Sequence, residues 1–96
     1  MPRKYPPLTP AEVIAILRAR GFVLHRTHGS HAHYHGVVKG VKCMVTVDKH
    51  YREFDPGRIG DTMQQAGLTR EEFYGSTKRT AKEIALISPK YPVPLK

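Results

Sequence analysis

The chain has 96 residues, of which 40% are hydrophobic and 25% are charged, and its formal net charge at pH 7 is +8. This length suits one domain with a modest core, and no apolar run approaches the roughly 20 residues that a membrane-spanning helix needs. The first residues contain no apolar signal-peptide segment and the single cysteine, Cys43, excludes an internal disulfide, so we expect a cytoplasmic protein.

The positive charge is concentrated in the first half of the chain. Residues 1–52 carry nine Lys and Arg against two Asp and Glu, whereas residues 53–96 carry seven against six. A one-sided basic surface favours a polyanion such as RNA, because each neutralised phosphate releases counterions. Basic charge can also serve solubility alone, so the charge by itself leaves both interpretations open.

The first predicted element is a helix over residues 10–20. Thr9 and Glu12 form a Thr-x-x-Glu capping box, with Pro10 at the first helical position. The residues that follow carry an apolar stripe at helical spacing, and Gly21 is a typical residue to end the helix.

Three strands are predicted next, over residues 22–27, 31–38 and 41–47. Tight turns separate them, one at residues 28–30 and one bracketed by Gly36 and Gly40, which indicates an antiparallel meander. Alternation along the second and third strands places His31, His33, His35, Lys42 and Thr46 on one face of the sheet.

A second helix is predicted from Pro56, after the N-cap Asp55, to about residue 65, and a shorter capping box joins Thr69 to Glu72. We also expect a short apolar helix near Ile84–Ile87. This order of elements predicts an α+β fold in which two helices cover one face of a three-stranded antiparallel sheet, with a short C-terminal helix appended. The arrangement is that of a double-stranded-RNA-binding domain and leaves the histidine-bearing face open to solvent.

Five of the six histidines lie between positions 25 and 35, and three interpretations compete. A metal site is one, because His31, His33 and His35 alternate on one strand about 6.6 Å apart, but the sequence has no zinc-ligand spacing and Cys43 faces away. Another is that His25, His33 and His35 are half-polar residues of an exposed strand. The third is that one histidine acts as a general acid/base in RNA cleavage.

His31 is the candidate for that third role, since it directly follows a turn containing glycine, where the backbone can approach a phosphate closely. RNA carries its own nucleophile, the 2′-hydroxyl, and histidine, with an ordinary pKa of about 6.5, can accept its proton at neutral pH. Neighbouring Lys and Arg side chains can stabilise the charge that develops on the phosphate. Such chemistry needs no metal and no cofactor.

Several blocks of the sequence resemble HicA-type toxins of bacterial HicA–HicB toxin–antitoxin modules. Residues 21–34 read GFVLHRTHGSHAHY and match the family's strand with Gly-aromatic-x-x-x-Arg, followed by Gly-Ser-His where the second strand begins. Residues 55–59 (DPGRI) and 65–69 (QAGLT) are similar to its second-helix pattern, and residues 6–9 (PPLT) to its start. The resemblance extends over roughly residues 5–75.

The resemblance implies a double-stranded-RNA-binding-like fold, metal-independent cleavage of mRNA and inhibition by a HicB-type antitoxin. It makes His31 the catalytic residue, with Gly29 and Ser30 shaping its turn. It also implies a HicA-like ribonuclease domain over residues 1–75, followed by a basic, proline-containing tail over residues 76–96.

One departure from the family follows the third strand, where Val-Pro-x-His is common and this chain has Val47-Asp48-Lys49-His50. An acidic Asp48 near a phosphate site is mildly unfavourable, so we expect the local contact to differ. The expected RNA contacts come from the basic half of the chain and are Arg26, Lys42, Lys49 and Arg52.

Three functions remain as hypotheses: an endoribonuclease toxin, a non-catalytic RNA-binding protein on the same fold, and a small subunit that only docks on a protein partner. The feature that separates the first two is His31, because a pure RNA binder needs cations and shape rather than a histidine at a glycine turn.

Overall fold

The computed structural model describes residues 3–96; the first two residues of the predicted domain, Met1 and Pro2, lie outside the described part. A three-stranded antiparallel sheet of order β1–β2–β3 has helices on one face, which confirms the predicted α+β fold class. The elements are α1 (Pro10–Ala19), β1 (Val23–His28), β2 (His31–Val38), β3 (Val41–Asp48), α2 (Pro56–Ala66), α3 (Arg70–Tyr74) and α4 (Lys78–Ala81), and a 3-10 turn at Lys82–Ile84 follows the last.

The helices begin where local side-chain chemistry satisfies their free N–H groups. At α1 the backbone N–H of Glu12 donates to Thr9 Oγ1 (3.2 Å), and the N–H of Thr9 donates to Glu12 Oε1 (2.9 Å). The same reciprocal capping box joins Thr69 and Glu72 at α3. The carboxylate of Asp55 caps α2 by accepting from the N–H of Arg58 at 2.9 Å. All three caps were predicted from the sequence.

Pairing between β2 and β3 is set by the tight turn that joins them. Val38 lies opposite Val41 across this turn, and the regular antiparallel register then places His31, the first residue of β2, opposite Asp48, the last residue of β3. The pairing of β1 with β2 is interrupted between Leu24 and Arg26, where one extra residue forms a bulge.

The core lies between the sheet and the helices. Ala32, Tyr34, Val38, Val45 and Val47 supply the buried sheet face, and α1 and α2 contribute buried apolar side chains that include Val13, Ile16, Leu17 and Ile59. Both helices pack against β3, and every residue of β1 is exposed. The opposite sheet face therefore has no helix over it in the described part of the chain.

Residues 76–96 pack against the rest of the chain at α1 and α3. The guanidinium of Arg20 donates to Ser76 Oγ (2.9 Å), to the Val93 carbonyl (2.7 Å) and to the Glu72 carbonyl (2.8 Å). The C-terminal helix begins earlier than expected, because the backbone N–H of Thr80 donates to Thr77 Oγ1 at 3.1 Å and Thr77 thereby caps the helix. Ile87, which lies in the range where we expected the helix, is exposed.

Candidate functional site

The site begins at the turn between β1 and β2. Gly29 adopts a left-handed conformation with φ +61°, which glycine tolerates better than other residues, and Ser30 precedes the first residue of β2. His31 thus stands at the end of the strand, with 52% of its side chain exposed. An imidazole this accessible can be reached by a large substrate without a pocket.

A carboxylate on the neighbouring strand contacts His31. Nε2 of His31 lies 3.3 Å from Oδ2 of Asp48, whose side chain is 23% exposed. The other carboxylate oxygen, Oδ1, accepts from the Ser30 hydroxyl at 2.7 Å and from the backbone N–H of His50 at 2.9 Å. The backbone N–H of Lys49 donates to the Ser30 carbonyl at 2.8 Å, which ties the end of β3 to the turn before β2.

These contacts keep Asp48 ionised. The backbone N–H of His50 and the hydroxyl of Ser30 hold the pKa of Asp48 below its ordinary value, against a smaller opposing effect of burial. A charged carboxylate thus lies against the imidazole of His31.

The open sheet face continues from His31 in rows across the strands. The first row holds His28, His31 and Asp48, the second Arg26, His33 and Thr46, and the third Val23, His35 and Met44. Polar and charged side chains thus occupy the end near His31, and apolar ones increase towards the other end. The sequence did not indicate this gradient, because it arises from the register of all three strands.

His33 lies within the second row. Partial burial and the nearby charge of Arg26 lower its pKa, with smaller contributions from the other histidines on this face, and its Nδ1 lies 3.0 Å from the hydroxyl of Thr46. His25, the extra residue of the β1 bulge, stacks on His35 with ring centroids 4.2 Å apart. Together with Arg26 these side chains line a groove of about 350 Å³.

The family model described as the HicA toxin of bacterial toxin–antitoxin modules matches residues 10–68, more than half of the chain. The chain belongs to the HicA toxin family. The match includes the turn before His31, the whole sheet and α2, so the resemblance read from the sequence motifs is confirmed for this part. No curated protein and no solved structure matches the chain.

The four basic residues expected to bind RNA lie at different distances from His31 in this HicA-family fold. Arg26 is on the open face one row away, and Lys49 directly follows Asp48. Arg52 is exposed in the loop before α2. Lys42 is also exposed, but six residues before Asp48 on β3, which is roughly 20 Å along the strand. Arg26 therefore lies one row from His31, Lys49 follows the strand end that pairs with it, and Lys42 lies towards the far end of the sheet.

The contact between His31 and Asp48 is the functional feature that sequence reasoning missed. The sequence does contain a signal for this contact. A two-residue turn at Lys39 and Gly40 places Val38 opposite Val41, and counting outward from that pair along both strands places residue 31 opposite residue 48. The bulge that aligns His25 with His35 had no comparable signal, since no glycine or proline marks it.

Two further observations concern residues 3–96 only. None of their helices combines the length and the apolar character needed to cross a membrane. Nor do any three of their His, Cys, Asp or Glu side chains come together as a group able to hold a metal ion.

Proposed function

We propose that this chain is the toxin of a type II toxin–antitoxin system and acts as a metal-independent endoribonuclease on mRNA, with His31 as the general acid/base. The observation that carries the proposal is the half-exposed imidazole of His31 at a glycine turn, held against an ionised carboxylate on a basic sheet face. Membership of the HicA toxin family supports it.

In the proposed reaction His31 removes the proton of a ribose 2′-hydroxyl. The 2′-oxygen then bonds to the adjacent phosphorus, and the bond from phosphorus to the 5′-oxygen of the next nucleotide breaks. The 5′-oxygen takes up a proton, so the products are a 2′,3′-cyclic phosphate and a 5′-hydroxyl. In this proposal Arg26, one row from His31 on the open face, and Lys49, which follows Asp48 in the sequence, balance the charge that develops on the phosphate.

RNA binding is assigned to the same open face. Arg26 and the groove lined by His25, His33 and His35 lie beside His31, and Lys42 and Arg52 extend the positive charge beyond it. Flat aromatic rings with basic neighbours suit unpaired bases, because stacking is tolerant of base identity. We therefore infer that the substrate crosses the sheet as a single strand.

The test compares wild-type protein with His31→Gln on a mixed-sequence RNA in EDTA. We expect the substitution to lower the cleavage rate by about 10²–10⁴ with RNA affinity unchanged, because it removes the proton acceptor and keeps the surface. His28→Gln is the matched control, since it removes the same ring from the opposite position on β1. Wild-type cleavage by a folded His31→Gln protein contradicts the assignment, and wild-type protein that binds RNA without cutting it favours the non-catalytic alternative.

We further propose that a HicB-type antitoxin neutralises the toxin by covering His31. An acidic partner fits the basic open face, and covering a half-exposed ring keeps the 2′-hydroxyl away from it. The measurement is diethyl pyrocarbonate modification of His31, followed by mass spectrometry, in the free toxin and in the co-purified complex. Protection of His31 is expected, whereas equal modification in both states contradicts masking and indicates that the antitoxin binds elsewhere.

A further inference from the structure

The carboxylate of Asp48 is fixed by groups other than His31. Its Oδ1 accepts two hydrogen bonds, from the hydroxyl of Ser30 at 2.7 Å and from the backbone N–H of His50 at 2.9 Å. These two donors come from the turn before β2 and the loop after β3, so they hold the carboxylate at the junction of the two strands. Its other oxygen, Oδ2, lies 3.3 Å from Nε2 of His31.

The opposing strands leave little freedom in this arrangement. His31 and Asp48 are directly paired residues at the ends of β2 and β3, and the backbone N–H of Lys49 bonds to the Ser30 carbonyl just beyond them. The other groups that face this ring are His28 on β1 and His33 on β2, with Lys49 and His50 beyond β3. Among these groups Asp48 is the one anion, so it supplies the negative charge next to the imidazole.

We propose that Asp48 is a positioning residue that binds the Nε2–H of His31 and thereby leaves Nδ1 as the nitrogen that takes the proton from RNA. This inference rests on the proposed ribonuclease function. A carboxylate that accepts from one ring nitrogen selects the tautomer whose other nitrogen is unprotonated, and it stabilises the imidazolium that forms when that nitrogen is protonated.

A simpler role for Asp48 predicts the opposite effect of its removal. If the carboxylate only repels phosphate, its neutralisation raises both RNA affinity and cleavage rate. If Asp48 positions His31, the same substitution lowers the maximal rate while RNA affinity stays the same or improves. The two roles are therefore separated by measuring kcat and KM independently.

The experiment measures RNA cleavage in EDTA between pH 4.5 and 8.5 for wild-type protein, Asp48→Asn and Asp61→Asn. Asp61 is exposed and lines the same cleft as Asp48, so it controls for loss of one negative charge. For Asp48→Asn we expect kcat to fall by about 10- to 100-fold and KM not to rise across this pH range. An unchanged kcat, or a loss matched by Asp61→Asn, would overturn the proposal.

A second readout does not depend on activity. The ¹⁵N chemical shifts of the His31 ring report which nitrogen is protonated in the neutral form, and we expect Nε2–H in wild-type protein and a mixture of tautomers in Asp48→Asn. A wild-type ring protonated at Nδ1 overturns the positioning role even if RNA is cut. Cleavage that survives His31→Gln contradicts the proposed function instead, whatever the tautomer.

Two variants guard against a folding artefact at this junction. Ser30→Ala keeps the carboxylate and removes one of its donors, so we expect a loss of kcat of only a few-fold. Asp48→Glu restores the charge with a longer side chain, and partial recovery of kcat relative to Asp48→Asn is expected. Equal losses in Asp48→Glu and Asp48→Asn would contradict a role for the charge.

Discussion

Gly29 determines how His31 is presented at the start of β2. Its φ of +61° turns the chain between β1 and β2, and a Cβ built on it meets no atom within 4 Å. A side chain at this position therefore clashes with nothing, and the cost of a substitution is confined to the backbone conformation.

We expect Gly29→Ala to lower the free energy of unfolding by about 1 kcal/mol, because alanine is strained in the left-handed region. Gly60→Ala is the matched control: Gly60 lies within α2, its added Cβ also meets nothing within 4 Å, and alanine is the better helix former. Thermal denaturation of both variants is the measurement. Shifts of the melting temperature in the same direction would contradict this explanation.

The sequence indicates single functional residues better than it indicates their contacts. Gly29, Ser30 and His31 were recognised because their order along the chain carries the signal. The effect of Asp48 was expected to be unfavourable to a phosphate, yet its carboxylate lies against His31, a contact between residues 17 positions apart. A contact of that kind follows from strand register, which can be counted from the two-residue turn at Lys39 and Gly40 but is not carried by the residues next to His31 or Asp48.

At the level of elements, the capping box of α3 also binds the C-terminal segment. Glu72 is almost fully buried, and its Oε1 accepts from Lys39 Nζ (2.8 Å) and from the backbone N–H of Thr69 (2.9 Å). Its Oε2 accepts from the backbone N–H of Lys96 at 2.8 Å. One carboxylate thus joins the β2–β3 turn, the start of α3 and the last residue of the chain.

This network predicts that the free energy of unfolding decreases at acidic pH. Burial of Glu72 by itself raises its pKa, but the hydrogen bonds from Lys39, Thr69 and Lys96 outweigh burial and lower the pKa to about 2. Because the folded-state pKa is below the ordinary value near 4.5, the stabilisation is complete above that value and is lost as the pH falls towards 2. The shift corresponds to about 3 kcal/mol.

We expect Glu72→Gln to lose most of this free energy at pH 7 and to approach wild-type stability as the pH falls to about 2, where about half of Glu72 is itself protonated. Urea denaturation across this pH range measures the difference. Glu71→Gln is the control, because the carboxylate of Glu71 is more than half exposed and its Oε1 lies 3.7 Å from Arg70. A difference between Glu72→Gln and wild type that does not change with pH would contradict the account.

Helix ends and strand alternation were predictable because a few adjacent residues determine them. The apolar residues near Ile84–Ile87 predict a C-terminal helix there, whereas in the structure this helix begins at Lys78, after the Thr77 cap. The bulge at His25 and the hydrogen bond from the Lys96 backbone to Glu72 were not predictable, since both depend on residues from separate elements.

At the level of the whole molecule, the described residues measure 36 × 30 × 18 Å, and the helices lie on the side of the sheet opposite the histidines. Arg26 and Lys42, two of the proposed RNA contacts, therefore lie on a face that the helices do not cover. Under the proposed function, charge on that face contributes to RNA affinity through counterion release, and charge on the helical side contributes less.

Removing one phosphate contact is expected to change the salt dependence of RNA binding by a defined amount. Arg26→Ala reduces the slope of log affinity against log salt by about 0.7, the value for one contact with a single strand. Arg79→Ala is the matched control, because Arg79 is exposed on α4 near Glu12 of α1. Binding is measured with 2′-O-methylated RNA, which cannot be cut by the proposed reaction. Equal reductions in both variants would contradict binding on the open face.

The claim that unites these features is RNA cleavage through the substrate's own 2′-hydroxyl, assisted by His31. The most direct measurement, once a cleavage position has been mapped, compares that RNA with the same strand carrying one 2′-deoxynucleotide at the position, both in EDTA. The account predicts that the RNA is cut to a 2′,3′-cyclic phosphate and a 5′-hydroxyl, and that the substituted strand binds equally well and stays intact there. Cleavage of the substituted strand at the same position and rate would contradict it.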